Sequence, residues 1–149
     1  MKKNILFIFL ASLILLSFQT QSNDSDAIIK LLEKESATWR SGDVKAHADC
    51  WQIRPYSRIL VSLPDGTTLD ILPENMIKPS SAMGQGGVSK NTNYKMNISG
   101  NNAWISHNEE STSKEGKKTY SYEIRILEKI NGQWKLVGQS IHIYDPSKK

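Results

Sequence analysis

The chain has 149 residues, 38% of them hydrophobic, with 19 Lys and Arg against 15 Asp and Glu. Setting aside Lys2 and Lys3 at the start leaves an excess of two basic residues, which Lys148 and Lys149 supply, so no basic face for nucleic acid or an anionic membrane is implied. The single cysteine, Cys50, excludes an internal disulfide, and stability has to come from packing.

Lys2 and Lys3 precede an apolar run from Ile5 to Phe18, with the small residues Thr20 and Ser22 behind it. At 1.5 Å per residue a helix of that run spans roughly 21 Å, short of the roughly 30 Å hydrocarbon core of a bilayer. The pattern predicts a signal peptide over residues 1–22 and one domain over 23–149, secreted or periplasmic and off the membrane after cleavage. All three phenylalanines (Phe7, Phe9, Phe18) fall in the leader, so the core of the remainder has to be built from Ile, Leu, Val and the four tryptophans.

From Ser25 to Gly42 the spacing predicts a helix, with Ser25 or Asp26 as N-cap, Ile28, Leu31, Leu32 and Trp39 on one side, and Gly42 as the stop. Asp43 then caps a short second helix reaching roughly Cys50. Branched residues from Tyr56 to Leu63 predict a strand ending at the turn Pro64-Asp65-Gly66, with a short strand Thr67 to Leu72 after it. Pro73 to Val88, rich in Met and Gly, reads as one helical turn and a mobile loop. Four strands follow, over 93–99, 103–111, 118–130 and 133–144, and the last two join at Asn131-Gly132, a strong hairpin signal.

If Asn131 and Gly132 are the two central residues of a type I′ turn, Ile130 faces Gln133 and paired residue numbers sum to 263. That register sets Tyr120, Tyr122, Ile124 and Ile126 with Val137, Gln139, Ile141 and Ile143 on one face. The other face then gathers Glu123, Arg125, Gly138, Ser140 and His142 at its far end. Large apolar residues on both faces predict that both are covered. Two helices can cover only one, so a second subunit is expected over the other, in a sheet-to-sheet homodimer.

Two N-terminal helices, the segment Ala37-Thr38-Trp39-Arg40-Ser41-Gly42-Asp43 and the turn Asn131-Gly132-Gln133-Trp134-Lys135 resemble the nuclear transport factor 2-like superfamily, in particular its small SnoaL-like, DUF4440-type bacterial branch. The resemblance implies an α+β cone, with helices packed on a curved, mainly antiparallel sheet around a pocket. Glu123 and Arg125 sit where the association domain of calmodulin-dependent kinase II, a member of that superfamily, has a Glu-x-Arg whose arginine lines a carboxylate-accepting pocket. The superfamily's enzymes, ketosteroid isomerase, scytalone dehydratase and SnoaL cyclase, use an Asp or an Asp/His set. The segment where such an aspartate is expected reads Trp51-Gln52-Ile53-Arg54-Pro55-Tyr56, which holds no base.

The expected ligand-binding residues are therefore Arg125, Glu123, Ser140 and His142, with His107, Trp51 and Tyr56 as pocket walls, and no catalytic residue is assigned. His47, Asp49 and Cys50 bring at most two metal ligands to one helix face, and Gly84-Gln85-Gly86-Gly87 has neither the spacing nor the lysine of a phosphate loop. Neither metal nor cofactor is expected. The expected function is non-catalytic binding of a small molecule, with an anion in view. An isomerase, dehydratase or cyclase using His107 or His142 is the alternative, and a dimeric interaction module without a ligand is the third.

Overall fold

A computed structural model describes residues 24–147. The leader and its cleavage point lie outside that span. Helix α1 covers 24–41, and its buried stripe follows the 3.6-residue period through Ile28, Leu32, Glu35 and Ser36, with the half-buried Trp39 continuing it. Gly42, at φ 76°, ends it in the left-handed conformation that a helix C-terminus favours. Asp43 then accepts a hydrogen bond from the backbone N of Ala46 at 2.9 Å and starts α2 (Val44–Ala48). No helix among the described residues is long and apolar enough to cross a membrane.

Among the described residues six strands make one sheet: β1 (Ile59–Ser62), β2 (Thr68–Ile71), β3 (Val88–Ser99), β4 (Asn102–Thr112), β5 (Lys118–Ile130) and β6 (Gln133–Tyr144), in the order β2-β1-β6-β5-β4-β3. Every pairing is antiparallel except β1 on β6. The helices lie on one face, where Ile28, Leu32, Cys50, Trp51, Ile105, Leu127, Trp134 and Leu136 form the core. Asp24 ties the start of α1 to the turn end of the hairpin, accepting from Lys129 Nζ at 2.7 Å and Trp134 Nε1 at 3.0 Å.

Two segments depart from the expected reading. Strand β3 begins at Val88, ahead of the clean alternation, because a register shift between Thr92 and Lys95, with Asn93 at φ 58°, carries the pairing past the break. The glycine-rich segment read as a mobile loop is docked on the end of α1. Gly84 N donates to Trp39 O at 3.0 Å, alongside Gly42 N at 3.2 Å, and Gly86 N donates to Arg40 O at 2.8 Å, which caps carbonyls of the last helical turn.

The hairpin turn forms as expected, with Asn131 at φ 51° and Gly132 at φ 78°, and pairs Ile130 with Gln133 through to Leu127 with Leu136. The expected register then fails. Ile126 pairs with Gly138, leaving Val137 as the extra residue of a β-bulge, and Arg125 faces Gln139 where the unbroken register puts Gly138. With a period of two, one extra residue moves every later side chain of β6 to the other face. The bulge falls between two docking points on β6. Leu136 exchanges backbone hydrogen bonds with the segment after α2 (Leu136 N to Cys50 O, 3.0 Å; Gln52 N to Leu136 O, 2.8 Å), and Gln139 N donates to Arg58 O at 3.0 Å where β1 begins.

Candidate functional site

A pocket of about 570 Å³ opens between the concave face of the sheet, the helices and the segment around 80–86. Its walls are apolar: Ile59 and Val61 of β1, Leu69 and Ile71 of β2, Ile141 and Ile143 of β6, and Trp39 of α1. The parallel seating of β1 on β6 places Ile59 beside Gln139 and Val61 beside Ile141, which makes that wall continuous. Its polar end is built from β5, where Ser121, Glu123 and Arg125 alternate onto the inner face, and from the charged residues of α1.

Arg125 is 3% exposed and held by two carboxylates. Its Nη1 donates to Glu35 Oε2 at 3.1 Å and its Nη2 to Glu123 Oε2 at 2.5 Å. Glu123 also accepts from Ser121 Oγ at 2.9 Å and Gln139 Nε2 at 3.2 Å. Burial acts to raise the Glu123 carboxyl, but Arg125, His107 and these donors outweigh it and hold the carboxyl below its ordinary value. Burial acts to lower the Arg125 guanidinium, and Glu123, Glu35 and Glu109 outweigh it, so its charge is secure. In the same cluster, Arg40 Nη2 donates to Glu109 Oε1 at 2.7 Å, and Ser36 Oγ donates to Glu109 Oε2 at 3.0 Å. Burial, and then the negative charge of Glu123, push the Glu109 carboxyl above its usual range.

His47 of α2 lines the same pocket, fully buried, with its ring centroid 5.3 Å from that of Trp39 and its Nδ1 3.6 Å from Glu35 Oε1. Neither of its ring nitrogens has a hydrogen-bond partner among the described residues.

Of the residues expected at the site, Arg125 and Glu123 line the pocket, but Arg125 does not present an open fork to a carboxylate, because both terminal nitrogens are engaged. Ser140 and His142 are corrected to the opposite face by the Val137 bulge. There they bond each other at 2.9 Å and pair with Ile124 and Tyr122. His107 faces inward, buried against Tyr94 with ring centroids 5.3 Å apart, and does not line the pocket. Burial and then Arg125 lower its pKa, so it stays neutral near neutral pH. Trp51 belongs to the core, and Tyr56, 65% exposed, donates to Glu128 beside a shallow depression on the outer face.

The pocket residues that the sequence reading missed are Glu35, Arg40, His47 and Glu109. Glu35 had a signal: with Ile28, Leu32 and Trp39 it occupies the buried helical stripe, where a charged residue is out of place unless partnered. Among the described residues no group of three or more His, Cys, Asp or Glu is arranged to hold a metal ion. Burial raises the Cys50 thiol, which keeps it from being a ready nucleophile.

No protein-family model matches the sequence, and no curated protein matches it. Solved structures do. An NTF2-like protein with a cystatin-like fold from Novosphingobium aromaticivorans superposes with a TM-score of 0.68 at 15% identity, covering 90% of this chain and 90% of that one. A protein of unknown function with a cystatin-like fold from Nostoc punctiforme gives 0.65 at 16% identity, covering 83% and 92%. An NTF2-like protein from Cytophaga hutchinsonii gives 0.62 at 18% identity, covering 79% and 96%. The chain therefore has the NTF2-like, cystatin-like fold, an α+β cone with its N-terminal helix packed on a curved and mainly antiparallel six-stranded sheet.

Proposed function

We propose that this chain is an exported, non-catalytic binding protein whose cone pocket holds a small molecule with an apolar body and one polar end. The observation that carries the reading is the form of the pocket: about 570 Å³, walled by Ile and Leu side chains, with a buried polar cluster at its inner end. Small-molecule sites are commonly clefts of roughly 300–1,000 Å³ with apolar walls and a few placed polar groups. An open pocket with a polar end also counts against an interaction module that binds no ligand.

Ligand-induced thermal stabilisation in a small-molecule screen tests this. Hits that stabilise the protein but not Ile141→Trp, in which the indole intrudes on the pocket, support it, and hits that stabilise both proteins equally place the binding elsewhere. N-terminal sequencing of the exported product tests the leader, with a start after Ser22 expected.

The proposal includes a second copy over the outer face of the sheet, supported by the exposed Leu60, Trp104, Tyr122 and Ile126 there. A second functional reading, a proton-transferring enzyme, is favoured by one observation, the approach of His47 Nδ1 to Glu35 Oε1 inside the pocket. Its mark would be deuterium exchange at an acidic C–H of a bound ligand that His47→Gln abolishes.

A further inference from the structure

The charges at the inner end of the pocket bear on what the polar end of a ligand can be. Three carboxylates, Glu35, Glu109 and Glu123, meet there, against the two guanidiniums of Arg40 and Arg125. A further charged lining residue, Lys117, sits on the exposed rim, where water screens it. The inner end therefore carries one unbalanced negative charge in surroundings largely shut off from water. Burial and then the charge of Glu123 raise the Glu109 carboxyl, and a cation bound beside it would favour its ionised form. His47, 1% exposed and with neither ring nitrogen bonded among the described residues, adds a polar group without a partner on the pocket wall.

A carboxylate ligand meets the wrong complement here. Both terminal nitrogens of Arg125 are committed to Glu35 and Glu123. Its Nε is without a partner, but a single N–H does not make the two-pronged fork that recognises a carboxylate. An ammonium is met instead by carboxylate oxygens, among them the Glu35 oxygen that faces His47. We propose that the inner end of the pocket selects an organic monocation, an ammonium on an apolar body, over an anion of the same shape. This inference rests on the proposed binding function.

Three probes of one shape test it, by isothermal titration at neutral pH and low salt: cyclohexylmethylammonium, cyclohexylmethanol and cyclohexanecarboxylate. One uncompensated charge at close range in a partly desolvated site is expected to make the ammonium bind about tenfold tighter than the carboxylate, with the alcohol between them. Glu109→Gln, which balances the charges while keeping an acceptor for Arg40 and Ser36, is expected to bring ammonium and alcohol to equal affinity. Carboxylate or alcohol binding best overturns the inference and leaves the binding function standing. Binding by none of the three overturns both. An ammonium preference unchanged in Glu109→Gln overturns the assignment to the excess carboxylate.

Discussion

The two faces of the β5–β6 hairpin are made from alternate residues of the same two strands, yet they do opposite things. Inward, β5 puts Ser121, Glu123, Arg125 and Leu127 out of water, and the charges survive burial because each is partnered. Outward, Tyr122 and Ile126 stand about half exposed beside Trp104 and Leu60, with Tyr144 stacked on Tyr122 at 4.5 Å between centroids. Along the middle of β5 the buried face is the polar one and the open face the apolar one. Alternation alone therefore does not say which side is the core. What decides it is where the helices bring Glu35 and Arg40 to meet the charges of the sheet.

The strongest way to break this contrast is to remove the hub of the buried network. Arg125→Met leaves Glu35 and Glu123 buried without their cation and is expected to destabilise the fold by about 3–5 kcal/mol, read from denaturant unfolding. Restoring part of the loss with Glu123→Gln in the same chain would confirm that the cost is uncompensated charge and not lost volume.

On the open face the expected change is in association. Ile126→Lys should convert a dimer to monomers in sedimentation, while the unfolding midpoint extrapolated to low protein concentration stays within about 1 kcal/mol of the parent. A protein that sediments as a monomer before the substitution would remove the second copy from the outer face.

The pH dependence separates the two faces again. His107 is buried with a lowered pKa, so below its ordinary value of 6.5 the unfolded chain takes up a proton that the folded chain refuses. Stability should be level above that pH and fall as pH drops through the window just below it. Glu123, also lowered, adds a further loss beginning only below its ordinary value of 4.5. The raised Glu109 works the other way: the folded chain takes up its proton above the ordinary value of 4.5, so its gain develops before the Glu123 loss begins and offsets part of the His107 decline. His107→Gln should flatten the first decline and leave the second in place, measured as unfolding free energy against pH. The smallest effect belongs to His142→Ala on the outer face, expected within about 0.5 kcal/mol of the parent and without influence on pocket binding.

Much of the architecture was legible before any coordinates. The stripe Ile28, Leu32 and Trp39 marked α1, Gly42-Asp43 marked its end and the next cap, and Asn131-Gly132 marked the hairpin, because each is a local preference of a few residues for particular backbone angles. The site was legible only in part. Glu123 and Arg125 were found from their place on the hairpin. Extending a regular register through Val137 groups Ser140 and His142 with them; the one local signal of the bulge is Gly138, a glycine inside a strand, and it does not by itself say which neighbour is the extra residue. Glu109 and Arg40 had no signal, since each reads as an ordinary surface charge until a strand and a helix distant in sequence set them 2.7 Å apart.

The amino-acid order by itself determined the helices, the strands and the last turn, since these depend on steric limits and apolar period over neighbouring residues. Tertiary structure alone decided which face of β6 each residue after Val137 takes and which charges meet in the pocket. Those outcomes depend on Leu136 docking to the segment after α2, on β1 docking beside Gln139, and on burial that only the assembled helix and sheet provide.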